Sequence, residues 1–181
     1  MGVTGDQGPG GSPQQLSAAQ VRPALDAELD AAGAVVRAAY EADGLVDGDY
    51  LDVLSDARDR ARDAVVAVAV APDGAVLGSV TFTLPGSRWT ELAHAGQAEF
   101  RMLGVLPGAR GRGVGGALVD WCLRQAVAAG AREVVISSEA TMTAAHHLYT
   151  TRGFTRRPEL DWSPAPGVDL LGFGLELPPR R

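Results

Sequence analysis

The stretch Leu103-Gly104-Val105-Leu106-Pro107-Gly108-Ala109-Arg110-Gly111-Arg112-Gly113-Val114-Gly115-Gly116 decides how the rest of the chain is read. Residues 98–106 read as a strand, 108–113 as a loop, and 114–129 as a mostly apolar helix. A helix N-terminus carries about half a unit of positive charge and unpaired N–H donors, so a loop feeding one is an anion cradle. Gly111, Gly113 and Gly115 lack the Cβ that keeps a main chain away from an anion, and Val114 and Gly116 complete the first turn. Arg110 and Arg112 add charge and forked donors suited to phosphate. The segment reads as a grip for the pyrophosphate of an extended cofactor.

The same glycines, as Gly111-x-Gly113-x-x-Gly116, also match the dinucleotide fingerprint, with Glu139 near the spacing of a ribose-binding acid. In that fingerprint the first glycine turns directly out of a strand. Here Pro107, Gly108, Ala109 and Arg110 intervene, and only 43 residues follow Ser138, too few for the remaining strands of a doubly wound sheet.

Outward from the loop, residues 133–138 (Glu-Val-Val-Ile-Ser-Ser) read as a buried strand and 141–152 as a helix closed by Gly153. Residues 154–162 and 168–177 are two more strand signals around 164–167. Upstream, 64–71 and 75–84 are Val-rich runs joined by Pro72-Asp73-Gly74, a hairpin. Before them come a short strand at 21–23, a helix over 26–42, a break at 44–48, and a second helix capped by Asp49 with Tyr50, Val53, Leu54 and Ala57 on one side. The Asp and Arg alternation over 56–63 reads as a solvated face, and 85–97, with Gly86, Trp89, His94 and Gly96, as a mobile loop. Residues 1–20, rich in Gly, Pro, Gln and Ser, read as a disordered tail ahead of one domain over 21–181. The order β-α-α-β-β-β-α-β-α-β-β makes an α/β protein with a mixed sheet flanked by helices.

Composition removes whole classes of function. A net charge of −6 offers no global field for a phosphate backbone, so nucleic acid is not the expected partner; an amine-bearing acceptor suits the surface better. All 16 basic residues are arginine, and without lysine neither a Walker-type phosphate loop nor Schiff-base chemistry is available. One cysteine, Cys122, reads as core packing, and three histidines form no metal-ligand spacing, so no metal is expected. No apolar run approaches the roughly 20 residues of a membrane span and the first twenty residues do not resemble a signal peptide, so a cytoplasmic location is expected.

Arg110-x-x-Gly113-x-Gly115, after a strand ending Leu103-Gly104-Val105, resembles the acetyl-CoA signature of the GNAT N-acetyltransferases. Ala145-x-x-Leu148-Tyr149-x-x-x-Gly153-Phe154 resembles that family's closing helix and the strand after it, so the resemblance covers about residues 21–177. It implies that the strands over 98–106 and 133–138 splay so that the pantetheine arm of acetyl-CoA wedges between them. The arm would pair with the backbone of Leu103 and Val105, around Gly104, and the N–H of Val105 or its neighbour would polarise the thioester carbonyl. Dimerisation through the C-terminal strands is common in the family.

The resemblance also implies direct transfer to a primary amine, which needs a base for the amine and an acid for the departing thiolate. Tyr149 matches the family's general acid. Glu99 matches the base of the histone-acetylating branch, and strand alternation places it with Arg101 and Leu103 on one face, Phe100 and Met102 on the other. His146 and His147 diverge by about 100° on their helix, so at most one faces a cleft. One departure is Met142, where the family often has asparagine; Thr141 or Thr143 can supply a hydroxyl there. Nothing in the acceptor-side segments names the amine, and the alternative on the same fold is a non-catalytic acyl-CoA-binding or regulatory module.

Overall fold

The computed structural model describes residues 19–44 and 48–178. The expected tail falls almost wholly on 1–18, outside the described residues, and Gln20 already opens the first strand, β1 (Gln20–Pro23). Then come α1 (Leu29–Asp43), α2 (Asp49–Ser55), the one-turn α3 (Ala57–Arg60), β2 (Val65–Val70), β3 (Val76–Thr83) and β4 (Gln97–Val105). The second half contributes α4 (Val114–Ala129), β5 (Glu133–Glu139), α5 (Thr143–Thr150), β6 (Thr155–Arg156), β7 (Trp162–Ala165) and β8 (Val168–Glu176).

The strands form one mixed sheet in the order β1-β2-β3-β4-β5-β8-β6, with β7 folded back on β8. Among the described residues its one parallel pair is β4 with β5, and that pairing stops early. Gln97, Ala98 and Glu99 face Glu133, Val134 and Val135; beyond them β5 follows β8 while β4 stays with β3. The sheet is thus open between residues 100–105 and 136–139, the splay expected from the resemblance.

Each face of the sheet is covered by a different helix set. Leu118, Val119, Cys122 and Ala126 of α4, with Tyr149 of α5, pack on Val80, Phe82, Phe100, Ile136 and Phe173. On the other face, Leu29 and Ala32 of α1 and Ala57 of α3 cover Val66, Val68 and Val70, while Val36 and Leu54 close over Met102. Two glycines set how tightly α1 sits. A Cβ on Gly33 would fall 1.8 Å from the Ser55 carbonyl oxygen, and one on Gly104 would fall 2.8 Å from the Val36 Cα.

Four readings change. First, β4 carries a bulge: two steps along β3, Ser79 to Thr81, face three along β4, Gly104 to Arg101, and Met102 takes φ 50°. A bulge shifts the side-chain phase, so Phe100 packs towards α4 while Met102 joins Val36 and Leu54 beneath α1 and α2. The simple alternation read from sequence holds only up to Arg101. Second, Arg60 is not on a solvated face: it is fully buried, and its Nη1 donates to the Val53 and Leu54 carbonyls at the end of α2. Third, Gly48 rather than Asp49 is the N-cap of α2, and the 154–162 signal becomes a two-residue strand and a 3-10 turn, Pro158–Leu160, because Pro158 cannot donate to a ladder. Fourth, the 85–97 loop is tied down. Arg88 N–H donates to Asp63, the Thr90 hydroxyl to the Leu84 carbonyl, and three consecutive N–H groups to Glu99.

Candidate active site

The loop after β4 makes a 3-10 turn, Pro107–Ala109, then enters α4 through Gly111 and Gly113 at φ 71° and 81°. A side chain at either position would have open space around it, so glycine is required there by backbone angle rather than by packing. The first helical bond runs from Ala117 N–H to the Gly113 carbonyl, which leaves the N–H groups of the first turn, Val114, Gly115 and Gly116, without intrahelical partners. These donors lie beside the mouth of the splay, since a Cβ on Gly115 would touch Val105 of β4 and Leu148 of α5.

The two loop arginines divide. Arg112 is exposed. Arg110 turns away, donating to both carboxylate oxygens of Asp43 at 2.7 and 3.1 Å and to the Ala39 carbonyl, so it ties the loop to α1 and its guanidinium is already engaged. Gly116 also has a packing duty: a Cβ there would sit 1.9 Å from Nη2 of Arg152, which is paired with Asp120. Arg152 therefore places a second guanidinium beside the start of α4.

Along the splay, Leu106 N–H bonds back to Leu77 of β3. Strand alternation then turns the N–H and C=O of Val105 and Leu103 towards the opening, and those of Gly104 towards β3. Strand groups not taken up by β5 on one side, of which the Val105 C=O accepts a long hydrogen bond from Arg110 Nε at 3.5 Å, and helix N–H donors at the end form a continuous track for an extended polar chain ending in an anion. No group of metal-ligating side chains is present among the described residues.

Tyr149 projects from α5 into the aromatic cluster beneath the opening, with ring centroids 5.9 Å from Phe100 and Phe154. Burial, helped by the neighbouring Cys122, pushes its hydroxyl above the ordinary tyrosine value, and no hydrogen bond among the described residues engages that hydroxyl. It is held protonated and free to donate. His146 is spent on structure, its Nε2 3.1 Å from the Glu139 carbonyl, and burial lowers its pKa.

Glu99 is fully buried beneath the opposite face. Its Oε2 accepts the N–H groups of Glu91, Leu92 and Ala93 at 3.0, 2.8 and 3.1 Å, and its Oε1 has no hydrogen-bond partner among the described residues, lying 3.8 Å from Arg101 Nε. Arg101 bridges outward, donating to the Trp89 carbonyl and to Glu91. Tyr40 of α1 and Tyr50 of α2 complete this wall. Burial raises the Tyr40 phenol, partial desolvation raises that of the more exposed Tyr50, and Tyr40 lies within electrostatic reach of Tyr50, Tyr149, Arg101 and Arg60. No sequence motif marks Glu91 or Tyr40. Only their approach to Glu99 and Tyr149 in the fold marks them.

The sequence signature of the Acetyltransferase (GNAT) family matches residues 34–154, from α1 through the aromatic Phe154. The chain belongs to that family. A GNAT structure from Kribbella flavida is 30% identical, covers 88% of this chain and 98% of its own, and superposes with a TM-score of 0.66. A Salmonella typhimurium protein solved with its cofactor acetyl-CoA is 21% identical, with a TM-score of 0.64 over 91% of this chain and 97% of its own. The mycothiol acetyltransferase of Beutenbergia cavernae is 39% identical over 83 residues, 46% of this chain and 25% of that protein. The chain spans about a quarter of the length of the curated relatives it matches.

The GNAT fold and family read from the two motifs are thus both present, and no described helix is long and apolar enough to cross a membrane. A shallow hollow of about 260 Å³, lined by Glu133, Arg157 and Gly174 among others, lies at the other end of β5 from the GNAT splay and is no part of this site.

Proposed function

We propose that this protein is an acetyl-CoA-dependent N-acetyltransferase that transfers acetyl to a primary amine by direct attack in a ternary complex. The observation that carries the reading is the break in β4–β5 pairing after Glu99, which leaves Leu103 and Val105 facing a gap that leads to the free N–H groups of α4. Pantetheine, with amides along its length and a pyrophosphate beyond, has the complementary pattern of acceptors and donors. Gly111, Arg112, Gly113, Val114 and Gly115 would hold the pyrophosphate. Arg110 serves by fixing the loop against Asp43, Gly116 by admitting Arg152, and Gly104 by letting α1 approach β4.

The acceptor enters from the α1–α2 face, against Tyr40, Tyr50, Trp89 and Arg101. Its proton passes to the acidic wall there, in which Glu91 is the open carboxylate and Glu99 the buried one. Attack builds negative charge on the thioester oxygen, which the N–H of Val105 or its neighbour meets; such a preorganised donor is worth about 3–4 kcal/mol. Tyr149 gives its proton to the departing thiolate.

The test is a panel of amines (polyamines, amino acids, aminoglycosides and peptide N-termini) assayed with acetyl-CoA for release of free CoA and for the acetylated product by mass. Acetyl-CoA-dependent product from at least one amine is expected. Tight binding of acetyl-CoA with no amine modified would refute catalysis and leave an acyl-CoA-binding module.

A further inference from the structure

The acceptor wall holds two carboxylates that share one guanidinium, and they are not equivalent. Glu99 is sealed beneath the β3–β4 loop, one oxygen fully occupied by three backbone N–H groups and the other turned to Arg101 Nε. Glu91 stands on that loop with its side chain 29% exposed, bound through Oε1 to Arg101 Nη2. A base must reach the proton it takes, directly or through one water. Of the two carboxylates, only Glu91 is open to an incoming acceptor.

Its position is built rather than incidental. The Glu91 N–H bonds to Glu99, and Arg101, also held by the Trp89 carbonyl, fixes the Glu91 carboxylate from the β4 side. Arg101 directly precedes the bulge at Met102, and Leu103 follows with its backbone facing the splay. The reachable carboxylate is therefore clamped one bulge away from the stretch proposed to carry the thioester.

We propose that Glu91 is the catalytic base and that Glu99 is a positioning residue that holds it through the loop backbone. The inference rests on the acetyltransferase reading above. The substrate ammonium gives one proton to the Glu91 carboxylate. The neutral nitrogen then attacks the thioester carbonyl carbon, forming the C–N bond, and the C–S bond breaks with its electron pair on sulfur. The thiolate takes a proton from Tyr149, the phenolate recovers one from the newly acylated nitrogen, and Glu91 returns its proton to water.

The groups that face Glu91 are Arg101 and Glu99 from β4 and Tyr50 from α2. Partial desolvation of the side chain against the β3–β4 loop pushes Glu91 above the ordinary glutamate value; the Arg101 charge opposes this, Glu99 adds to it, and the Arg101 hydrogen bond opposes it again. A carboxylate shifted that way is better matched to an amine near neutral pH.

The experiment compares two small acceptors on the full chain: ethylamine, protonated at neutral pH, and hydroxylamine, mostly free base there. Glu91→Gln is expected to lower kcat/KM for ethylamine about 100-fold and for hydroxylamine less than about threefold, with the acid limb of the ethylamine pH profile flattened and Glu91→Asp partly restoring it. Glu99→Gln should lower both amines together and leave the shape of the profile unchanged. An amine-selective loss in Glu99→Gln with none in Glu91→Gln would assign the base to Glu99 and overturn the proposal. Equal losses on both amines in Glu91→Gln would overturn it too. Failure of the wild type on both probes and on every panel amine refutes the acetyltransferase reading itself.

Discussion

Replacing Glu99 by alanine removes a single oxygen on which three successive N–H groups converge. A buried donor left without its acceptor costs about 1–3 kcal/mol. Ala93 is buried and its N–H would bear the full cost, whereas Glu91 and Leu92 are more open and water can reach them. Loss of the unpartnered Oε1 from the interior offsets the smaller costs at Glu91 and Leu92, leaving a net destabilisation of about 1–3 kcal/mol. At roughly 2–4 °C per kcal/mol for a chain of this size, Tm should fall by about 2–12 °C. A native stability of about 5–15 kcal/mol leaves the variant folded. Thermal unfolding by circular dichroism measures the first effect. Amide exchange gives the residue-level check, with Glu91, Leu92 and Ala93 losing protection while α4 keeps it. A Tm within about 2 °C of wild type, with protection intact at those three amides, would refute the argument that Glu99 anchors the loop.

Gly113→Ala forces a side chain to φ 81°, costing about 1–2 kcal/mol, and puts a methyl on the anion cradle; Tm should fall by a few degrees and acetyl-CoA affinity about tenfold, read by calorimetry. Tyr149→Phe removes a hydroxyl with no hydrogen-bond partner among the described residues, so Tm should hold or rise slightly while kcat drops about 100-fold and acetyl-CoA affinity stays unchanged. Glu28 is held at about 2 against an ordinary 4.5, chiefly by its hydrogen bonds from Arg22 and then from the Leu25 N–H. Its folded-state value is depressed, so its stabilisation is complete above pH 4.5 and is lost as pH falls towards 2. The stability gap between wild type and Glu28→Gln, measured by denaturant titration, should be constant near neutrality and close across that acidic window.

Much of this was legible in the sequence because it depends on short-range chemistry. Gly111 and Gly113 sit at positive φ in a loop that needs it, and Tyr149 and Phe154 fall where helical spacing sends them. What stayed hidden depends on partners far along the chain. The bulge at Met102 arises from register against β3, so a face assignment from alternation alone fails halfway along β4. Arg110 looks like a phosphate ligand until Asp43, 67 residues away, takes its guanidinium. Arg60 sits in an Asp-Arg run of surface character yet is drawn in to the free carbonyls at the end of α2, with Nε and Nη2 unpartnered and burial lowering its pKa. Glu91 carries no motif at all. It becomes a candidate only because Glu99 and Arg101 grip it from β4.

The most direct test of the account is a thermal shift of the purified chain with acetyl-CoA, set against the same concentration of NAD. A ligand that binds only the native state at about 100 times its Kd adds about 2.7 kcal/mol, so Tm should rise by about 5–11 °C with acetyl-CoA and stay put with NAD. No rise with acetyl-CoA, or an equal rise with NAD, would contradict the claim that the splay and the loop from Gly111 to Gly115 are built for coenzyme A.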